Sequence, residues 1–361
     1  MPGLAQFALV DLLKLSAAQL IVLHHLAFYG PMADHVRPIA PDLIGWLDTY
    51  GRIAVQVFLV IGGFLAAKSL SPCGHLTTVN PMRIILRRYR KLAPPFFVAT
   101  LLTVGAYAVA GRWMTHNSIS ALPELPQLLA HALLLHGIAG FDSISAGAWY
   151  VAIDFQLYAA MTLLVWLSAR IAAGRPVLWL LPCLIVLCVA ASLFYFNRNA
   201  AWDMWALYFF GSYGLGIIAW WASDPVQRPV TVALLLTAMV ALTLTALLMD
   251  FRIRIAVALV IACSLILAGR TPLPHRIAQF GFIHYMGRIS YSVFLVHFAV
   301  CLIVNAAFTR FFSPQPTVQA AGLLLALLAS AAAGAAFHRW VELPLERLFS
   351  QSDMARSKRL A

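Results

Sequence analysis

The sequence predicts an all-α fold, a polytopic membrane helix bundle of about ten transmembrane helices. Hydrophobic residue types make up 62% of the 361 residues, and charged types make up only 11%. A water-soluble domain carries about 25% charged residues, because polar groups must cover its surface. Runs of about 20 apolar residues, the length that spans a bilayer, recur along the chain. The composition therefore excludes an ordinary soluble enzyme.

Each long apolar run predicts one spanning helix. The first run contains Asp11 and Lys14 and no cleavage signature, so we expect a retained helix and no signal peptide. A shorter, interrupted run at Leu125–Leu135 predicts an interfacial or re-entrant segment. The spanning runs lie at 7–29, 50–70, 92–111, 148–169, 177–196, 204–222, 229–249, 252–269, 288–309 and 317–339.

The placement of the cations predicts the orientation. The net charge of +12 is also typical of nucleic-acid-binding proteins, but here the cations concentrate in alternate loops. With the N-terminus inside, most of the 25 Lys and Arg residues fall on the inner side, as the positive-inside rule requires. We therefore predict N-in and C-in ends and no nucleic-acid partner. Residues 1–349 are predicted to form one transmembrane domain, and 350–361 a disordered cytoplasmic tail.

Two long loops, 30–49 and 112–147, fall on the outer side in this orientation. Long loops beside a bundle can form the mouth of a site for an external substrate. They can equally be simple connectors, and their length alone does not decide between the two.

The first helix carries a stripe of ionisable residues. At about 100° per residue, Asp11, Lys14 and His25 lie on one face, along about 21 Å of helix, and His24 points away. Charges inside a bilayer are costly and usually face a cavity or a partner. Histidine accepts and returns protons near neutral pH, which favours a functional role for His25. A structural ion pair at Asp11 and a packed core histidine at His25 remain the alternatives.

A basic segment, Arg83–Lys91, precedes the third predicted span on the inner side. It carries five cations, and arginine binds phosphate through paired hydrogen bonds, so a phosphate site is one interpretation. Topology and contact with anionic lipid are the other interpretation.

Six segments, spread over nearly the whole chain, follow a specific order. They are Val10–Lys14 with His25 after ten further residues, Val55–Phe64, Arg88–Pro94, Trp149–Tyr158, Gly287–His297 and Glu342–Pro344. In this order they resemble the acyltransferase 3 family of bacterial membrane acyltransferases. Its motifs are Leu-Asp-x-Leu-Arg with a later His, Gly-x-x-Val-x-x-Phe-Phe-x-x-Ser-Gly-Phe, Arg-x-x-Arg-x-x-Pro, Trp-Tyr/Phe-x-x-x-Glu-x-x-x-Tyr, Gly-x-x-Ser-Tyr-x-x-Tyr-Leu-x-His and Glu-x-Pro.

The chain departs from these motifs at several positions. Lys14 and Lys91 stand where the family has arginine, Gly62 where it has serine, and Asp154 where it has glutamate. Lysine keeps the charge but lacks the planar fork of arginine. Aspartate keeps the carboxylate on a shorter stem. These changes bear on how a donor is held more than on the class of reaction.

The resemblance implies a membrane-bound O-acyltransferase of the bacterial inner membrane. Such an enzyme moves an acyl group, most commonly acetyl, from cytoplasmic acyl-CoA to a hydroxyl of an extracytoplasmic carbohydrate or glycolipid. Acetyl-CoA or another acyl-CoA is then the co-substrate, no metal is expected, and membrane lipids surround the protein. A final handover by a soluble domain, if there is one, needs a separate periplasmic partner protein.

The resemblance also implies residue roles. His25 is expected to act as general base on the acceptor hydroxyl or to carry the acyl group. The other expected roles are positioning of the donor or of the polar path (Asp11, Lys14), orientation of His25 or a donor group (Asp154), binding of CoA phosphates (Arg87, Arg88, Lys91, with Lys14) and lining of the substrate cavity (Tyr291, His297, Trp149, Tyr150). Packing remains an alternative for the lining residues.

A different class of function also fits the general features. A transporter for a lipid-linked sugar, or an acyl conduit without its own catalysis, would also have about ten helices and intramembrane ionisable residues. The sequence lacks paired Gly/Pro-broken helices at matching positions in two halves, which are typical of a transporter site. We therefore favour the enzyme.

Overall fold

The computed structural model describes residues 2–72, 80–172, 179–271 and 281–349. These ranges contain helices and no strand, which confirms the predicted all-α class. The predicted tail 350–361 lies outside them. The helices are α1 (Pro2–Phe28), α2 (Pro31–Val36), α3 (Pro41–Tyr50), α4 (Ala54–Leu70), α5 (Pro81–Trp113), α6 (Leu125–Ala132), α7 (Ala148–Ala172), α8 (Leu180–Phe194), α9 (Ala206–Ser223), α10 (Pro229–Met249), α11 (Ile253–Arg270), α12 (Gly281–Phe311) and α13 (Pro316–Phe337).

Nine helical stretches in the described ranges are long and apolar enough to cross a membrane. Nine of the ten predicted runs correspond to them. The remaining run, 204–222, is α9, which has 18 residues but is interrupted by Gly211, Ser212, Gly214 and Gly216. Nearly all of α9 is buried against α8, α10 and α11. A helix enclosed by other helices needs small residues for close packing more than it needs an apolar outer surface.

Two helices begin earlier than the apolar runs predicted. α5 begins at Pro81, so the basic segment Arg83–Lys91 is the first part of a 33-residue helix and not a loop. α12 begins at Gly281. Hydropathy detects only the part of a helix that contacts lipid. A charged extension of the same helix keeps its backbone hydrogen bonds without being apolar, so hydropathy misses it.

The chain divides into two compact units. The first unit comprises Met1–Lys14, Val55–Arg88 and Ile153–Gly287, and the second comprises Leu15–Ala54, Tyr89–Ala152 and Arg288–Ala361. Each unit is therefore assembled from three separate stretches of the chain.

In the first unit α4 and α9 touch backbone to backbone. A methyl group added at Gly63 would lie 1.9 Å from the carbonyl oxygen of Tyr213, and one added at Gly216 would lie 1.9 Å from that of Val60. The two helices can therefore approach this closely only because both positions are glycine.

In the second unit the residues after α1 are fixed by side-chain bonds. Asn305 of α12 accepts a hydrogen bond from the backbone N–H of Met32 and donates to the carbonyl oxygen of Cys301. Gly30 lies against the Asn305 side chain with φ 103°, a left-handed conformation that favours glycine. His24 Nδ1 lies 2.8 Å from the carbonyl oxygen of Leu47 in α3. These bonds fix the end of α1 that carries His25.

Candidate active site

Two histidines from distant parts of the chain meet inside the second unit. Nδ1 of His25 in α1 and Nε2 of His297 in α12 lie 2.7 Å apart, a hydrogen-bond distance. The two rings are almost parallel, at 11°, with centroids 5.0 Å apart. His25 is 6% exposed and His297 is 0% exposed. The two residues, called the histidine dyad below, form a buried pair held by two spanning helices.

A backbone contact decides which ring nitrogen of His297 carries hydrogen. Nδ1 of His297 lies 2.7 Å from the carbonyl oxygen of Phe294, and a carbonyl oxygen only accepts, so Nδ1 is the N–H. Nε2 of a neutral His297 is then an acceptor, and His25 donates to it from Nδ1. The lone pair of His25 remains on Nε2, for which no hydrogen-bond partner exists among the described residues. The dyad thus presents a basic nitrogen.

Aromatic side chains surround the dyad. The ring of Tyr29 meets His25 edge-on with centroids 5.6 Å apart, and the ring of Phe298 does so at 6.3 Å. Tyr29 and Phe298 also contact each other at 5.2 Å. The walls around His25 are therefore mainly aromatic.

The local sequence explains how His297 is placed. Phe294 lies three residues before His297, so one turn of helix brings its carbonyl oxygen to the His297 ring. Gly147 permits the Phe294 ring to lie close, since a methyl group there would be 2.9 Å from that ring. Gly334 of α13 likewise allows a close approach to Val293.

A partly buried ion pair lies in the first unit. Arg88 of α5 donates to Oδ2 of Asp154 in α7 at 2.6 Å, and its guanidinium lies 4.9 Å from the centroid of the Tyr158 ring. This bond to Asp154 competes with the predicted role of Arg88 in binding a CoA phosphate. Asp154 binds Arg88 of the same unit. The expected role of Asp154 in orienting His25 stays a prediction.

Two of the departures from the family motifs, Gly62 and Asp154, meet at this ion pair. A methyl group at Gly62 would lie 3.3 Å from Oδ1 of Asp154 and 3.2 Å from the Tyr213 ring. Gly62 is smaller than the serine of the family, and Asp154 is shorter than its glutamate. The two residues lie next to each other in the first unit.

The stripe on α1 acquires partners at its N-terminal end. Asp11 lies 2.8 Å from Nδ1 of His284, which is 72% exposed on its side chain. Gly287 packs directly on the backbone of Asp11. This contact favours the structural interpretation of Asp11. Lys14 is half-buried, and its role stays a prediction.

The other predicted site residues lie mainly in the second unit. Lys91 forms an exposed ion pair with Glu346 at 3.0 Å. Tyr291 donates from its hydroxyl to the carbonyl oxygen of Leu92 at 3.1 Å. The Tyr150 ring contacts Phe294 at 5.4 Å and Trp149 at 6.2 Å. Arg87, in the first unit, is exposed.

Comparison with known proteins identifies the family. The family model described as an acyltransferase domain, that of the acyltransferase 3 family, matches residues 7–335, nearly the whole chain. The chain belongs to the acyltransferase 3 family. A curated relative is "Regulator of hypoxia-inducible factor 1" of Caenorhabditis elegans, 28% identical over 133 residues, which is 37% of this chain and 25% of that protein. The chain thus aligns with about a quarter of that relative's length. No solved structure matches the chain.

Membership in the acyltransferase 3 family confirms the resemblance drawn from the six motifs and supports acyl transfer by a multi-pass membrane protein. Sequence reasoning identified His25 and His297 but not their contact, and it missed Tyr29 and Phe294. The spacing of Tyr29, four residues after His25 on the same helical face, was the available signal for one of them. No sequence signal marks the carbonyl oxygen of Phe294, because every residue carries one.

Proposed function

We propose that this acyltransferase 3 protein transfers a short acyl group, most commonly acetyl, from acyl-CoA to a hydroxyl group. The donor is taken from the cytoplasm, and the acceptor is an extracytoplasmic carbohydrate or glycolipid at the bacterial inner membrane. The family and the basic inner segment support the donor. The acceptor class rests on the resemblance of the motifs.

The histidine dyad is the observation that carries this proposal. The unprotonated Nε2 of His25 takes the proton of the acceptor hydroxyl while the oxygen attacks the thioester carbonyl carbon. The C–S bond then breaks, and His25 returns the proton to the departing sulfur, so the products are an ester and free CoA. General-base transfer of this kind contributes about 10²–10⁴-fold in rate.

His297 acts in this scheme as a positioning residue. Its Nε2 holds the Nδ1–H of His25, which fixes both the tautomer and the ring orientation. An imidazolium formed at His25 is stabilised by the same bond, as the third member of a hydrolase triad does for its histidine. Direct attack of Nε2 on the thioester, with a transient acyl-histidine, uses the same geometry and remains the alternative route.

The exposed cations of α5 are the proposed phosphate ligands of the donor. Arg87 is exposed, and the ion pair of Lys91 with Glu346 is exposed on both sides. Such pairs are worth about 0.2–1 kcal/mol, so a CoA phosphate readily displaces Glu346. Arg88 is held by Asp154, and we assign it to fixing α5 against α7.

Release of CoA thiol from acetyl-CoA by the purified protein, with membrane glycolipids as acceptor, tests this function. His25→Ala is expected to lower turnover at least about 100-fold with unchanged expression. His35→Ala is the matched control, since His35 is an exposed histidine of α2 in the same unit; it should retain most of the activity. Near-normal turnover by His25→Ala contradicts the assignment. Flux of a lipid-linked sugar without any thiol release would favour a transporter.

A further inference from the structure

A further histidine of α1 lies beside the histidine dyad. His24 is on a different face of the helix from His25, but the centroids of the two rings are only 5.2 Å apart and the rings are tilted by 45°. His24 is 7% exposed. The proposed proton transfer does not use this residue. An imidazole this close to the proposed base nevertheless contributes to the surface that an acceptor meets there.

The backbone of α3 determines which nitrogen of His24 carries hydrogen. Nδ1 lies 2.8 Å from the carbonyl oxygen of Leu47, which only accepts, so Nδ1 is the N–H. Nε2 of the neutral ring is then an acceptor, and like Nε2 of His25 it has no hydrogen-bond partner among the described residues. Solvent reaches both nitrogens, whereas the ring nitrogens of His136 lack a partner and are enclosed. Two neighbouring imidazoles thus offer lone pairs to hydroxyl groups that enter from solvent.

The long loop after α1 packs against His24. Gly51, directly after α3, lies so close that a methyl group there would be 2.7 Å from Cβ of His24. The charges of Asp48 and Arg52 both act on the His24 imidazole. The Asp48 side chain is partly exposed, and Arg52 is exposed. The segment 30–49 is therefore more than a connector, because it places charged side chains of the surface next to His24.

The polar groups around His24 match the chemistry of a carbohydrate. Two imidazole lone pairs and the Asp48 carboxylate accept hydrogen bonds, and the Arg52 guanidinium donates them. A hydroxyl group both donates and accepts, so a ring with several hydroxyls can bind both kinds of partner. A phosphate or carboxylate ligand would instead place its acceptor oxygens against the acceptors of His24, His25 and Asp48. The site therefore favours a neutral molecule with several hydroxyl groups.

We propose that Nε2 of His24 accepts a hydrogen bond from the hydroxyl group next to the one that is acylated at His25. His24 thereby selects acceptors with hydroxyls on neighbouring carbon atoms, as sugar rings have. This inference rests on the proposed function and assigns a binding residue to its acceptor. His24 orients the acceptor and takes no proton, since the proton of the reacting hydroxyl still passes to His25.

Acetyl transfer from acetyl-CoA to two octyl glycosides tests the proposal in the purified full-length protein. One acceptor is octyl glucoside, whose ring hydroxyls are neighbours, and the other is a deoxy analogue that keeps a single hydroxyl. Release of CoA thiol gives kcat/KM, which is compared per hydroxyl group. For the wild type this value should be roughly 5- to 10-fold higher with the glucoside, the effect of one additional hydrogen bond.

His24→Asn is the variant that isolates Nε2. The amide N–H of asparagine replaces the Nδ1–H and can keep the bond to the carbonyl oxygen of Leu47, but nothing replaces Nε2. The kcat/KM for the glucoside should fall to that of the analogue, which has no second hydroxyl to bind and should be affected less. His35→Asn, at an exposed histidine of α2 in the same unit, is the matched control and should keep the preference of the wild type.

The outcomes separate this inference from the proposed function. A wild type without a preference for the glucoside overturns the inference. So does a His24→Asn variant that keeps the preference, or one that loses transfer to both acceptors equally, since His24 would then act on the dyad and not on the second hydroxyl. In each case acetyl transfer by the wild type leaves the proposed function standing. A wild type that releases no thiol from acetyl-CoA, with the glucoside or with membrane glycolipids, overturns the proposed function itself.

Discussion

At the scale of single residues, the proposed function depends on the hydrogen bonding of one imidazole. His25 was identifiable from the sequence because an ionisable residue inside an apolar run is costly and lies on one face with Asp11 and Lys14. Its partner His297 was identifiable only as a lining residue. The two are 272 positions apart, and nothing in a single sequence encodes a contact at that separation.

Replacing His297 tests its positioning role. His297→Ala should lower kcat roughly 10–100-fold and leave the KM for acyl-CoA nearly unchanged, because the donor does not need this residue to bind. His297→Gln should recover part of the loss, since an amide oxygen also accepts from Nδ1 of His25. Initial rates measured over a range of acyl-CoA concentrations give kcat and KM separately. A change confined to KM would assign His297 to donor binding instead.

Gly30 tests the bonds that fix the end of α1. Gly30→Ala forces a methyl group to within 2.4 Å of the Asn305 side chain at φ 103°. A left-handed conformation alone costs a non-glycine residue about 1–2 kcal/mol, so thermal unfolding in detergent should occur at a lower temperature. Gly45→Ala is the matched control, because nothing lies within 4 Å of its added methyl group and alanine favours helix. Equal melting temperatures would contradict the assigned packing.

At the scale of helices, hydropathy predicted the spans better than their ends. The apolar part of α5 was predicted from residue 92, but the helix begins at Pro81, because its cationic turns lie beyond the apolar run. α9 was predicted as a span like the others, whereas its glycines and its burial distinguish it. Burial by neighbouring helices depends on tertiary packing, which composition does not reveal.

The glycine contact between α4 and α9 gives a prediction at this scale. Gly216→Ala places a methyl group 1.9 Å from the carbonyl oxygen of Val60, so the two helices must separate. Folded yield and melting temperature should fall. Gly105→Ala, on α5 with nothing within 4 Å, is the comparison and should leave both unchanged. Similar behaviour of the two variants would mean that the helices do not meet there.

The short segment around α6 predicts a pH dependence of stability. His136 stacks on His131 with centroids 4.0 Å apart, and burial lowers the pKa of His136 to about 3, with His131 as a further cause. Between its ordinary pKa of 6.5 and about 3, the unfolded chain binds a proton at His136 that the folded chain does not. The free energy of unfolding therefore falls as the pH falls through this window.

His136→Phe isolates this effect, because phenylalanine keeps the stacked ring and does not titrate. From about pH 7 to about pH 5, the melting temperature of the wild type should decline more steeply than that of the variant. His131, whose pKa burial also lowers, is present in both proteins and contributes to both declines. Parallel declines would show that His136 is accessible to protons in the folded protein.

At the scale of the whole molecule, composition was enough to predict a membrane bundle. A chain with 11% charged residues cannot cover itself against water, whatever its helix contacts are. The N-in and C-in orientation stays a prediction from the distribution of cations. The division into two units was not predictable, because each unit joins three stretches that lie far apart in the sequence.

Transfer of a labelled acetyl group in membrane vesicles tests the central claim most directly. Labelled acetyl-CoA is supplied to the cytoplasmic face, and ester-linked label is measured in the carbohydrate and glycolipid fraction of the opposite face. The wild type and His35→Ala should both transfer label, and His25→Ala, present in equal amount, should transfer at least about 100-fold less. Equal transfer by His25→Ala would contradict acyl transfer at the histidine dyad.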